Sequence, residues 1–155
     1  MPKKVKPIPD GYHTATPYLI VNDGARAIDF YERAFGATEV MRMPAPGGKV
    51  GHAEIKIGDS HIMLADEAPE MEARSPKHYG GSPVSLVLYV EDVDKIFAQA
   101  VAAGGMATRP VTDMFYGDRS GTVKDPFGHS WHVSTHKEDL SPEEIKKRME
   151  AMHQG

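Results

Sequence analysis

Two stretches of this chain carry the same punctuation at a fixed offset, and that repeat limits the fold more than any single motif does. Val21, Asp23, Ala34 and Gly36 recur as Val90, Asp92, Ala103 and Gly105, each 69 residues later. Punctuation repeated once at this spacing marks one supersecondary unit used twice. In the first copy, residues 14–21 have strand composition, although Pro17 cannot donate to a ladder and so marks an edge or an irregular start. Asn22-Asp23-Gly24 ends that strand. Over 25–35, Ile28, Tyr31, Ala34 and Phe35 fall at helical spacing with Arg26, Asp29 and Glu32 outward, and Gly36 supplies the stop. Short strands are then expected over 39–43, 50–57 and 61–66, separated by Pro44-Ala45-Pro46-Gly47-Gly48 and Gly58-Asp59-Ser60.

The second copy repeats the order. A strand is expected over 84–90, a helix over 93–103 with Val93, Ile96, Phe97 and Ala100 inward, and strands over 108–111, 119–124 and 129–135. The fold class is therefore α+β, built from tandem βαβββ modules. Residues 1–13 form a Pro-punctuated lead, 14–67 the first module, 84–136 the second and 137–155 a tail, all within one domain. The stretch between the modules, 68–83, holds Pro69, Pro76 and Gly80-Gly81 without a clear period and is expected to be a linker or a mobile flap. In the tail, Ser141-Pro142-Glu143-Glu144 places an N-cap, a proline at the first helical position and acid in the first turn before a polar helix to about Met152.

The 155 residues are 40% hydrophobic and 26% charged, enough for one soluble core. A net charge of −4 with interleaved signs argues against a nucleic-acid surface, and the short basic run Lys3-Lys4-Val5-Lys6 reads as a solvated terminus. With no cysteine there is no disulfide framework and no thiolate chemistry. No apolar run approaches the roughly 18 residues of a membrane span, and the opening residues lack the apolar stretch of a secretory signal. The expected setting is cytoplasmic, without a membrane partner.

Strand alternation divides the side chains between two faces. The turn Asp125-Pro126-Phe127-Gly128 feeds a strand in which Ser130, His132 and Ser134 share one face while Trp131 and Val133 share the other. If the aliphatic faces meet the helices, Ile55 and Trp131 are buried, and the opposite face receives Thr16, Tyr18, His52, Glu54, Lys56, His61, Met63, Glu67, Val87, Tyr89 and His132. His52 and Glu54, two apart on one strand, can bind a common ligand, pair with each other in a wet groove, or join His132 in a metal set. Glu67 is either a general base or a cap on the linker. Phe115-Tyr116-Gly117-Asp118-Arg119 reads as a turn in which the aromatic pair Phe115 and Tyr116 and the Arg119 guanidinium clamp a planar or anionic ligand, or as an Asp118 turn in which Arg119 is merely solvated.

The linked set of Val-x-Asp, the helix carrying Ile28-Asp29-Phe30-Tyr31-x-x-Ala34-Phe35-Gly36, its echo at Val90-Glu91-Asp92-Val93, and Asp125-Pro126-Phe127-Gly128-His129 resembles the vicinal oxygen chelate superfamily. That superfamily holds the glyoxalases, bleomycin-resistance proteins and extradiol dioxygenases, and the likeness is greatest to its PhnB-like branch. The resemblance implies the glyoxalase/bleomycin resistance/dihydroxybiphenyl dioxygenase fold, a half-open curled sheet with helices outside, and a cleft that in many relatives holds a divalent metal. It places the family's metal positions on Thr16, Met63, Ser85 and His132. Only the last is a usual ligand, so no metal is expected through Thr16, Met63 and Ser85. Two functions remain open. One is a small-molecule-binding protein with a polar and aromatic cleft drawn from His52, Glu54, Met63, Tyr89, Tyr116, Arg119 and His132. The other is a metal-dependent glyoxalase-like lyase, isomerase or dioxygenase with a weakly bound divalent ion on His52, Glu54 and His132 and Glu67 as base. The resemblance also implies a homodimer that shares the cleft.

Overall fold

The computed structural model describes residues 4–154; Met1 to Lys3 of the lead and Gly155 of the tail lie outside the described residues. The chain divides into two compact units, residues 1–81 and 82–155. The first unit runs β1 (Tyr18–Val21), α1 (Gly24–Phe35), β2 (Thr38–Ala45), β3 (Lys49–Ile57) and β4 (Ser60–Asp66), followed by a one-turn 3-10 helix (Pro69–Met71) and a short helix α2 (Pro76–Tyr79). The second runs β5 (Ser85–Tyr89), α3 (Val93–Ala102), β6 (Met106–Asp113), β7 (Asp118–Lys124), β8 (Ser130–His136) and a final helix α4 (Pro142–His153).

Each unit folds its strands into one mixed sheet, in the order β1-β4-β3-β2 and β5-β8-β7-β6. The outer strand β1 runs parallel to β4 and β5 parallel to β8, while every other pairing is antiparallel. Both sheets keep two edges, so neither closes on itself. The repeat in the sequence extends to pairing register: Tyr18 faces Met63 across β1 and β4, and Val87 faces His132 across β5 and β8, each residue 69 positions after its counterpart.

The repeated punctuation now has a physical role. Asp23 and Asp92 are the N-caps of α1 and α3, their carboxylates accepting the backbone N–H of Arg26 at 3.2 Å and Lys95 at 3.1 Å. The end of the last strand fastens each helix a second time. Asp66 accepts the N–H of Gly24 at 2.9 Å, and its counterpart Thr135 accepts the N–H of Val93 at 2.9 Å. The start of each helix is thus tied to the strand that closes its sheet.

The helices lie on the aliphatic sheet faces, as the alternation requires. Ile55, Leu64, Val123, Trp131 and Val133 are fully buried, together with Ala27, Ile28, Phe30, Tyr31 and Ala34 of α1. Gly121 on β7 is needed there, because a β-carbon would stand 2.8 Å from the Phe97 ring of α3. The turn before β8 has a polar core of its own: Asp125 accepts N–H groups from Phe127, His129 and the Trp131 indole, all at 2.9 Å, while Gly128 takes φ +97°. Trp131 is therefore both packed and hydrogen-bonded.

Three expectations need correction. The first strand begins at Tyr18 rather than residue 14, since Pro17 offers no N–H and only its carbonyl joins the sheet, accepting from Met63 N at 3.0 Å. The last strand extends through His136, one residue past the expected end. The segment 68–83, expected to be a linker or a mobile flap without a period of its own, is locally folded: it contains the 3-10 turn, α2, a bridge between Ala68 and Ala73, and the buried residues Ser75 and Pro76. The tail helix starts on its expected cap, with Ser141 Oγ accepting from Glu144 N at 3.1 Å. No described helix is long and apolar enough to cross a membrane.

Candidate functional site

The faces turned away from α1 and α3 carry the polar side chains, and each module's face forms its own network. In the first, His52 stands on β3 with Glu54 two residues along, and Tyr18 reaches over from β1 past Met63, which pairs with both Tyr18 and Glu54. The Tyr18 hydroxyl is 2.8 Å from His52 Nδ1, and His52 Nε2 is 3.0 Å from a Glu54 carboxylate oxygen. A carboxylate can only accept, so Nε2 bears the hydrogen and Nδ1 accepts from the phenol when the ring is neutral. Burial pushes the Tyr18 hydroxyl above its ordinary range, which keeps it a donor. Both imidazole nitrogens are spent within the network.

The second face centres on two histidines of β8. His132 lies between hydroxyls, with Nδ1 2.8 Å from Thr122 Oγ1 and Nε2 3.1 Å from Ser85 Oγ. Four residues on, His136 places Nδ1 2.8 Å from Asp118 and Nε2 2.8 Å from Asp139. Asp118, only 6% exposed, also accepts from the Tyr89 hydroxyl at 2.7 Å. The hydrogen bond to Asp118, reinforced by burial, raises the Tyr89 hydroxyl, and the hydrogen bonds to Asp118 and Asp139 raise His136.

The structure thus brings His52 and Glu54 together as the sequence suggested, with Tyr18 added, and sets His132 and Tyr89 on the open face of the second sheet. Arg119 goes the other way. Alternation along β7 turns it toward α3, where Nε and Nη2 hold Asp94 at 2.9 and 3.0 Å and Nη1 holds Asp113 at 3.2 Å. Phe115 and Tyr116 pack edge-on as a pair, ring centroids 5.2 Å apart, while the guanidinium expected beside them is held on the α3 side by Asp94 and Asp113. Glu67 accepts from both the backbone N–H and the hydroxyl of Ser75, chiefly the hydroxyl, which lowers its carboxyl below the ordinary range despite partial burial. It fastens the segment after β4 and is a poor candidate for a base.

A divalent ion does not fit these donors. Thr16 precedes β1, Met63 offers a thioether, Ser85 is hydrogen-bonded to His132, and His132 has both nitrogens engaged. Among the described residues no three His, Asp or Glu side chains gather as they would around a cation, so no third such ligand joins His52 and Glu54. Sequence reasoning missed Asp118 and His136. His136 lies one residue past the strand end that the sequence predicts, and Asp118 falls in a predicted turn although it shares the parity of Ser120 and Thr122.

Two βαβββ modules, each with a helix on one sheet face and a polar network on the other, define a class of small α+β proteins with two four-stranded mixed sheets. The chain belongs to the Glyoxalase/Bleomycin resistance protein/Dioxygenase superfamily, whose family model matches residues 12–133. It is 40% identical over 143 residues to an uncharacterised protein of Mycobacterium bovis, covering 90% of this chain and 94% of that one. Among solved structures it resembles TioX from Micromonospora sp. ML1, at 28% identity and a TM-score of 0.62 over 83% of this chain and all of that one. A PhnB protein from Bacillus cereus shares the fold at 21% identity and a TM-score of 0.61, over 79% of this chain and 99% of its own.

Proposed function

We propose that this protein binds a small molecule on the polar and aromatic faces of its sheets and does so without a metal ion. The observation that carries this reading is the state of the two imidazoles. His52 is held by Tyr18 and Glu54, and His132 by Thr122 and Ser85, so each presents a finished hydrogen-bonding surface rather than a free lone pair. Tyr18 and Tyr89, 47% and 65% exposed, supply aromatic contact area beside them. Superfamily membership supports a small-molecule ligand. The metal-dependent alternative on His52, Glu54 and His132 would require His52 to give up Tyr18 or Glu54.

Pairing into a homodimer with a shared cleft belongs to the same proposal, in a cytoplasmic setting that suits a chain without cysteine. The exposed apolar side chains Val84, Val87 and Tyr89 on and beside the edge strand β5 support it. Light scattering over a dilution series tests that part.

Binding itself is tested by ligand-observed NMR with a library of aromatic fragments, on protein treated with a chelator and on the His52→Ala and His132→Ala variants. Fragment binding that survives the chelator and weakens in both variants is expected. Binding or turnover that appears only on adding a divalent ion, with stoichiometric zinc surviving dialysis against chelator, would overturn the metal-free reading.

A further inference from the structure

The open face of the second sheet carries a guanidinium that meets no carboxylate among the described residues. Arg109 of β6 is half-buried, and its guanidinium meets only neutral acceptors: Nη1 donates to the Ser120 carbonyl at 2.9 Å and to Met114 Sδ at 3.4 Å, and Nη2 to Ser120 Oγ at 3.0 Å. Arg33, Arg42, Arg119 and Arg148 by contrast each hold a carboxylate. The carboxylate on this face, Asp118, lies two residues from Ser120 and is already engaged by Tyr89 and His136.

A guanidinium has five N–H donors in a fixed plane. Here both hydrogens of Nη1 and one of Nη2 are used, and Ser120 takes the end of the fork with its two oxygens. The Nε–H and the remaining Nη2–H are left side by side along one edge, spaced for two oxygens of one planar group. Ser120 is itself fixed, receiving a hydrogen bond from Ser134 Oγ at 2.8 Å, with both serines buried. The guanidinium is thus positioned before any ligand arrives. Taking a cation partly out of water without a partner costs free energy that an incoming anion would offset.

We infer that Arg109 is an anion subsite, and that the small molecule bound on this face carries a carboxylate. The inference rests on the small-molecule reading above and specifies its ligand. The carboxylate lies against the Nε and Nη2 edge of Arg109, and the rest of the ligand extends over the same face, where His132 and Tyr89 stand.

The test uses three probes on the full-length chain: benzoate, its neutral isostere benzamide, and inorganic phosphate. Each is titrated while the Arg109 side-chain Nε–H resonance is followed, assigned with the Arg109→Lys variant. Benzoate is expected to move that resonance saturably, and benzamide is not. In Arg109→Gln, benzoate affinity is expected to fall about tenfold or more, and Arg109→Lys to recover part of it. Should Arg109→Gln not fold, the resonance in the unaltered protein still decides. Phosphate binding at Arg109 in preference to benzoate would overturn the carboxylate assignment. Equal binding of benzamide and benzoate, or benzoate binding unchanged in Arg109→Gln, would overturn the subsite while leaving small-molecule binding intact. A fragment library with no binder at all would instead defeat the broader reading.

Discussion

In the first module His52 stands on the open face of β3, with its acid two residues along the same strand; in the second, His132 stands on β8, paired with the β1-equivalent strand. The pairing register is the same in both, with Tyr18 on Met63 and Val87 on His132. The helices differ as well. α1 buries Ala27, Ile28, Phe30, Tyr31, Ala34 and Phe35, whereas α3 buries only Val93 and Ala100 to the same degree. What the duplication repeats is the backbone pairing, the N-caps and the apolar parity. What it leaves free is the polar face, because a side chain there answers to its hydrogen-bond partners and not to a packed core.

The sharpest way to break this comparison is at Trp131, whose counterpart 69 residues earlier is Ile62, also buried. Trp131→Ala is expected to cost roughly 3–5 kcal/mol, since it removes a fully buried indole and the hydrogen bond that its N–H donates to Asp125. Urea denaturation measures this, and a loss below about 1 kcal/mol would place the indole outside the core. Next in size is the turn that precedes each last strand. Asp125→Ala strips three N–H groups of their acceptor and is expected to cost about 2–3 kcal/mol, whereas Asp59→Ala in the short exposed turn of the first module should stay within about 0.5 kcal/mol. Comparable losses at the two sites would mean that both turns have the same structural weight.

A smaller effect separates the modules by pH. His136, held by Asp118 and Asp139, has its pKa raised above 6.5, so the stability it contributes is fully present below that value and is lost as pH rises through the higher folded pKa. The stability gap between the wild type and His136→Gln should therefore narrow between pH 5.5 and pH 8.5, read by chemical denaturation at each pH. A gap that widens over this interval would reverse the assigned sign. Smallest is Arg119→Ala. Its ion pairs involve exposed acids and are expected to contribute at most about 1 kcal/mol, and with the guanidinium on the helix side the loss should leave benzoate binding unchanged. Weakened benzoate binding in that variant would return Arg119 to the site.

The fold was legible because its signals are periodic. Alternation put Ile55 and Trp131 on one side and His52, Glu54 and His132 on the other, and helical spacing found α1 and α3. The site was less legible, for reasons that attach to particular residues. β7 reads Asp118-Arg119-Ser120-Gly121-Thr122-Val123-Lys124, with a single large apolar side chain, so nothing in it announced a parity that places Asp118 and Arg119 on opposite faces. Arg109 gives no signal in the sequence, because its meaning lies in the absence of an acid beside it, a property of the folded arrangement rather than of its neighbours in sequence. The four-residue α2 is too short to show a period, which is why residues 68–83 looked structureless.

The parallel pairing of the first strand of each module with its last has a consequence for the order of synthesis. Strands β2, β3 and β4 form local hairpins as they leave the ribosome, but β1 waits for Met63 to Asp66, each paired residue 45 positions downstream (63 − 18), and the second fastening of α1 waits for Asp66, 42 positions after Gly24 (66 − 24). Until then α1 has only the β2–β3 hairpin beneath its apolar face. The second module meets the same delay, with β5 waiting for β8. Each half of the nascent chain therefore closes from its C-terminal end backward, and the interval before closure is when its N-terminal strand is free to pair with the wrong partner.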